Sequence, residues 1–178
     1  NLWDWEGSIT DGDAWMKRQF EFGILNIPNP AYTNAAHKNG VMSIACIYFD
    51  QAFREGQTVD ELLIQDEDGR FIIADKLIEM AEYFGYDGYF FNCEEAPYSY
   101  DVLKQWLYQL ESAGLYTQYY NTNSTFNASK AEWLYSDVDG DGVKEKIQDS
   151  VFVNYSSFSN VDSQIQFAEE NGYDPFEQ

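Results

Sequence analysis

Three observations predict an α/β fold with a parallel sheet. Apolar runs of strand character alternate with helix-period stretches along the whole chain, glycine or asparagine closes the helices, and polar residues collect where the strand-like runs end. The chain has 178 residues, 44% of them hydrophobic and 18% aromatic, which is ample for a buried core and argues against disorder.

The elements follow in order. Leu2 to Trp5 is the first strand-like run. After a polar loop, Pro28-Asn29-Pro30 leads into a short helix from Ala31 to Lys38, stopped at Asn39-Gly40. Val41 to Phe49 is nearly continuous in apolar character, as expected of a strand buried on both faces. Thr58-Val59-Asp60-Glu61 has the form of a capping box opening a short helix, and Asp66 to Gly69 form a turn. Ile73, Leu77, Met80 and Phe84 recur at helical spacing up to Gly85. Tyr86 to Glu94 is another buried strand, centred on Phe90 and Phe91. Leu103, Trp106, Leu107 and Leu110 mark the next helix, closed by Gly114. Leu115 to Tyr120 is a fourth strand, Ala128 to Tyr135 a short helix, Ser150 to Tyr155 a fifth strand, and Ile165, Phe167 and Ala168 lie in a last helix ending at Gly172.

No glycine-rich phosphate loop follows any strand, which argues against an open nucleotide-binding sheet. A closed barrel needs eight units and runs to ~250 residues. The expectation is therefore a (β/α)8 TIM barrel of which about five strand–helix units are present, residues 1–178 forming one barrel domain truncated at both ends.

Charge narrows the partners. Ten lysines and arginines against 31 acidic residues leave a formal charge of -21, which repels phosphate backbones and anionic membranes. A neutral sugar chain meets no such repulsion. The same acidity suits an exported protein, so a secreted or cell-surface location is expected, with a cytoplasmic one as the alternative. No run approaches the ~20 apolar residues of a membrane span, and no targeting leader is visible. Cys46 and Cys93 both fall in apolar strands and are expected as buried free thiols.

In parallel α/β folds the site lies at the carboxyl ends of the strands. Those positions hold Asp4, Trp5 and Glu6; Tyr48 and Asp50; Asn92, Glu94 and Glu95; Tyr119, Tyr120 and Asn121; and Asn154 and Tyr155. Rings that stack on pyranoses, beside amides and acids that bond hydroxyls, are what a sugar site requires. Asn92 and Glu94 stand out because side chains at i and i+2 of a strand share a face, ~7 Å apart. A glutamate among apolar neighbours can stay protonated and act as general acid. Most glycosidases add a second carboxylate as nucleophile or base, yet here the second group is an amide. An amide cannot attack, but it can hold an acetamido group whose oxygen does, the substrate-assisted route.

The run Gly85-Tyr86-Asp87-Gly88-Tyr89-Phe90-Phe91-Asn92-Cys93-Glu94 resembles the G-[FY]-D-G-W-F-[IF]-N-x-E strand of glycoside hydrolase family 85, the endo-β-N-acetylglucosaminidases that cut the chitobiose core of N-glycans. It also resembles the D-G-x-D-x-D-x-E strand of family 18 chitinases, with Phe90 and Asn92 replacing two aspartates. Ile27-Pro28-Asn29-Pro30 and Asn34-Ala35-Ala36-His37-Lys38-Asn39-Gly40-Val41 resemble the family 85 segments I-P-P-P and D-A-A-H-R-N-G-V. Ala74-Asp75-Lys76-Leu77 resembles that family's preceding helix, and Asp149-Ser150-Val151-Phe152-Val153-Asn154-Tyr155 its D-S-M-F-L-N-[FY]. The resemblance implies that Asn92 holds the 2-acetamido group as it closes to an oxazolinium ion. It implies that Glu94 protonates the leaving oxygen and then deprotonates water, and that Tyr120, where the family has W-Y-D, helps manage the oxazoline. Retention of configuration, possible glycan transfer, N-glycans on glycoproteins or glycopeptides as partners, and no cofactor follow from it. Trp5, Tyr48, Glu95, Asn121, Asn154 and Tyr155 would bind substrate. Asn121 departs from the family's aspartate, Ser156-Ser157 stand where tryptophans are common, and Trp3-Asp4-Trp5-Glu6 is not the commonest first strand end. The alternatives are a chitinase-like hydrolase and a non-catalytic glycan-binding relative.

Asp137-Val138-Asp139-Gly140-Asp141-Gly142 has the start of a calcium loop, with Gln148 where the closing acid should stand. An acidic hairpin turn is the preferred reading; a weak calcium site at Asp137, Asp139 and Asp141 is the other. His37 is the one histidine, expected to pack or cap, which argues against a histidine-based zinc site or a Ser-His-Asp triad. Asn123, Asn127 and Asn154 head glycosylation-type triplets.

Overall fold

The structure, a computed structural model, describes residues 25–49, 59–94, 96–120, 125–153 and 160–175. The expected first strand at Leu2 to Trp5 and the capping residue Thr58 lie outside them.

A five-stranded sheet carries the fold. Its strands are β1 (Leu25–Asn26), β2 (Ile44–Phe49), β3 (Gly88–Cys93), β4 (Tyr116–Tyr120) and, after a separate two-stranded hairpin of β5 (Tyr135–Ser136) and β6 (Glu145–Lys146), β7 (Ser150–Val151). Spatial order follows chain order, β1-β2-β3-β4-β7, and β2, β3, β4 and β7 are mutually parallel. A doubly wound sheet reverses its order and covers both faces with helices. Here one face carries most of the core. Ala45, Ile47 and Phe49 of β2, Tyr89, Phe91 and Cys93 of β3, and Tyr119 of β4 are buried beneath the helices, while Cys46, Tyr48, Phe90, Asn92 and Gln118 on the opposite face are only partly buried. The sheet is thus part of the wall of a (β/α)8 barrel, unclosed among the described residues. Among the described residues the burial expected on both faces is complete on the helix side and partial on the other.

Helix α1 (Pro30–Lys38) starts on the Asn29 side chain, which accepts from the Ala31 amide at 2.8 Å. Helix α2 (Ile72–Phe84) ends at Gly85, whose φ of 74° places it in the left-handed region that suits glycine. Helix α3 (Tyr100–Ser112) is capped by Ser99 and buries Leu103, Trp106, Leu107 and Leu110, the four residues its spacing predicts. Trp106 lies 5.3 Å from the Phe91 ring, so α3 is docked on the centre of β3. Helices α4 (Ala128–Ala131) and α5 (Val161–Glu170) complete the set.

Several expectations change. The buried stripe of α2 is Ala74, Leu77 and Ala81, whereas Phe84 is exposed, so the helix is rotated from the phase that Ile73, Met80 and Phe84 suggest. Val59–Leu63 is a 3-10 helix. Val41 and Met42 precede β2 and are exposed. The helix expected to reach Tyr135 stops at Ala131, and Tyr135 opens the hairpin. Both cysteines are free, Cys93 buried and Cys46 partly so.

Candidate active site

The register of the parallel strands builds the site. Tyr48 of β2, Asn92 of β3 and Tyr120 of β4 are direct lateral partners at the carboxyl ends of their strands. Lateral partners share a face, so the three side chains form one row, spaced by the ~4.8 Å between strands. The row continues to Phe152: Tyr119 pairs with Val151, one step on lies Phe152 beside Tyr120, and the Phe152 amide still donates to the Tyr119 carbonyl at 3.1 Å. Phe152 contacts Tyr120 edge-on at 5.7 Å and Phe90 at 5.1 Å, which confirms the common face.

Glu94 follows β3 by one residue. Its amide donates to the Phe49 carbonyl at 2.8 Å, so the ladder still holds the backbone there and Glu94 continues the alternation of Asn92. Its side chain is exposed rather than enclosed among apolar neighbours as the sequence suggests. Asn92 is different: its carboxamide oxygen is buried and has no hydrogen-bond partner among the described residues. A buried acceptor without a donor costs roughly 1–3 kcal/mol, and such groups in folded proteins ask for an explanation.

The opposite face fixes this row from behind. Tyr119 stacks between Phe91 at 5.5 Å and Trp133 at 4.5 Å, and burial pushes its hydroxyl pKa up. Tyr119 therefore belongs to the core and not to the strand-end polar set. Cys46 sits one row below Tyr48, and burial pushes its thiol up, away from the thiolate a nucleophile needs.

Of the sequence-derived site residues, Tyr48, Asn92 and Tyr120 are brought together, with Glu94 just above them. Trp5, Glu95, Asn121, Asn154 and Tyr155 lie outside the described residues. Phe152 is the member that the sequence analysis missed; period-two alternation back from Asn154 marks its position.

The acidic turn lies at the tip of the β5–β6 hairpin. Tyr135 pairs with Lys146 and Ser136 with Glu145, and the Asp137, Asp139 and Asp141 oxygens lie within 4.8 Å of one another at the exposed tip. Asp137 and Asp141 accept backbone N–H groups of Gly140, Gly142 and Val143 at 2.7 to 2.9 Å. Gln148 follows β6, where the hairpin runs away from its tip. His37 packs α1 onto the start of β3: its Nε2 donates to the Asp87 carboxylate at 2.8 Å on the surface.

A parallel sheet with a row of amide and aromatic groups at its mouth, and a carboxyl above, presents the groups that a carbohydrate site requires. Comparison with known proteins makes that particular: the chain belongs to glycosyl hydrolase family 85, which matches residues 15–177. A cytosolic endo-beta-N-acetylglucosaminidase of Danio rerio is 35% identical over 75 residues, 42% of this chain and 10% of that protein. The Mus musculus protein of the same name is 26% identical over 147 residues, 77% of this chain and 19% of that protein. The crystal structure of the glycoside hydrolase domain of Endo-D from Streptococcus pneumoniae R6 superposes with a TM-score of 0.59 at 26% identity, over 84% of this chain and 26% of that one. The chain thus spans between 10% and 19% of the length of these two curated relatives.

Proposed function

We propose that this chain carries the acid and the acetamide-binding residues of an endo-β-N-acetylglucosaminidase that cleaves the chitobiose core of N-glycans with retention of configuration. One observation carries the reading: the buried carboxamide oxygen of Asn92, unpartnered among the described residues, in register between two tyrosines and on the strand that leads to Glu94. An acetamido N–H is the donor that this oxygen lacks. As the acetamido oxygen attacks the anomeric carbon, positive charge spreads over the nitrogen and strengthens that hydrogen bond, so Asn92 stabilises the oxazolinium more than the ground state. Glu94 gives its proton to the departing glycosidic oxygen, and its carboxylate then takes one from water as water reopens the ring at the same carbon. A sugar hydroxyl in place of that water gives glycan transfer. The exposure of Glu94 leaves it open to water for the second step.

Residues 1–178 act in this reading as part of a catalytic barrel domain, with N-glycans on glycoproteins or glycopeptides as partners. Tyr120 lies beside Asn92 to help order the oxazoline. The cytosolic names of the relatives support a cytoplasmic location, and nothing comparable supports secretion. No described helix is long and apolar enough to cross a membrane.

Mass spectrometry of a high-mannose or biantennary glycopeptide tests the proposal. The expected product is peptide that retains a single N-acetylglucosamine. Bare peptide, or glycan trimmed only from its far end, would overturn the reading.

A further inference from the structure

Phe152 is the member of the mouth row to which no role has yet been given. We infer that it is a substrate-contacting residue whose open ring face is a stacking platform for the pyranose next to the one received by Asn92; this rests on the function proposed above. Phe152 is 44% exposed although it is a large apolar ring. The ring is nevertheless held, tilted against Phe90 at 5.1 Å and edge-on to Tyr120 at 5.7 Å. The neighbouring Val151 is the residue that β7 directs at the helix-side core. Phe152 thus faces the same side as Asn92, held by two aromatic contacts and exposed over 44% of its surface.

Spacing decides which sugar it meets. Two strand steps of ~4.8 Å put Phe152 about 10 Å from Asn92 across the sheet. That is too far to touch the acetamido group on Asn92, and it suits the adjoining ring of the same chain. A flat aromatic face against the C–H face of a pyranose, beside hydroxyl-bonding tyrosines, is the usual chemistry of such a subsite.

Phe152→Ala, Phe152→Leu and Phe152→Tyr test the platform, by steady-state kinetics on the glycopeptide and by calorimetric binding of the same glycopeptide in a Glu94→Gln background. Ala and Leu should each raise KM and Kd by about tenfold, with kcat little changed, because leucine keeps the apolar volume and loses the flat face. Tyr should restore both. Wild-type affinity in the Leu variant would overturn the platform, since packing alone would then suffice. A fall in kcat at unchanged KM would overturn it too, leaving Phe152 only a prop for Tyr120. If the wild type cleaves and these variants match it, the platform alone fails; if the wild type neither binds nor cleaves, both proposals fall.

Discussion

The two ends of the same parallel strands treat polar groups in opposite ways. At the amino ends two aspartates are bonded several times over, although the nearby Thr117 hydroxyl and Gln148 amide are buried without a partner among the described residues. Asp87 donates its amide to the Ser43 carbonyl at 2.8 Å, accepts the Ser43 amide on its carboxylate at 2.6 Å, holds His37 at 2.8 Å, and accepts the Tyr116 amide on its carbonyl at 2.9 Å. One strand pair further on, Asp149 repeats the device. It exchanges backbone and carboxylate bonds with Thr117 at 3.0 and 2.8 Å, and Lys146 takes the free oxygen at 2.6 Å. At the carboxyl end of β3, the buried Asn92 carboxamide oxygen has no partner among the described residues. The aspartate bonds at one end lock the register; the buried Asn92 carboxamide at the other is what that register offers to a ligand. Substitutions at the floor should therefore cost stability, and those at the mouth should cost activity.

The sharpest break is expected at the floor. A Cβ on Gly88 would stand 1.9 Å from the Tyr116 carbonyl oxygen, a backbone atom that cannot step aside without parting β3 from β4. Gly88→Ala should lose several kcal/mol, on the order of the largest single-residue effects, or fail to fold. A denaturant melt within about 1 kcal/mol of wild type would break the comparison.

Asn92→Ala should behave in the reverse manner. Loss of one preorganised partner for a developing charge costs on the order of 10²–10³ in turnover, while the melting temperature should hold or rise slightly because an orphan acceptor has gone. The partner experiment is Asp87→Ala, which strands the Ser43 amide and should cost ~1–3 kcal/mol of stability, with turnover per folded molecule nearly unchanged. Parallel melts and assays of the two variants check the exchange of effects; similar losses in both would erase the distinction.

A smaller effect lies at Lys130, which burial holds at a pKa of about 8 instead of its ordinary 10.5. The folded state therefore resists the charged form. The cost is fully present below pH 8, and stability recovers as pH rises from there towards 10.5, where the unfolded chain also loses the proton. Lys130→Met should raise the melting temperature at pH 7, on a scale of about 2–4 °C per kcal/mol for a chain of this size. The advantage should shrink as melts are repeated up to pH 10. A constant offset would show that desolvation is not the cause.

Much of this contrast was legible in the sequence. Alternation of runs gave the sheet, helix stops at Asn39 and Gly85 were correct, and the i, i+2 rule put Asn92 and Glu94 together. The phase of α2 was not legible, because Ala74 and Ala81 face the core through small side chains while the bulkier Phe84 is left exposed. The two-residue strand β1 is too short to leave a periodic signal. Lateral register was hidden as well, since it depends on bonds such as those of Asp87 between residues 44 apart. Without it, Tyr48, Asn92, Tyr120 and Phe152 are four positions on separate strands; with it they are one row.

The central claim is that the empty acceptor of Asn92 awaits an acetamido group that itself performs the attack. Glycopeptides whose cleavable N-acetylglucosamine carries N-acetyl, N-fluoroacetyl, N-difluoroacetyl or N-trifluoroacetyl groups test it most directly, because each fluorine weakens the acyl oxygen as a nucleophile. The account predicts that kcat falls steeply at every step of the series. Rates that stay level across it would contradict the account, since attack would then have to come from water or the protein.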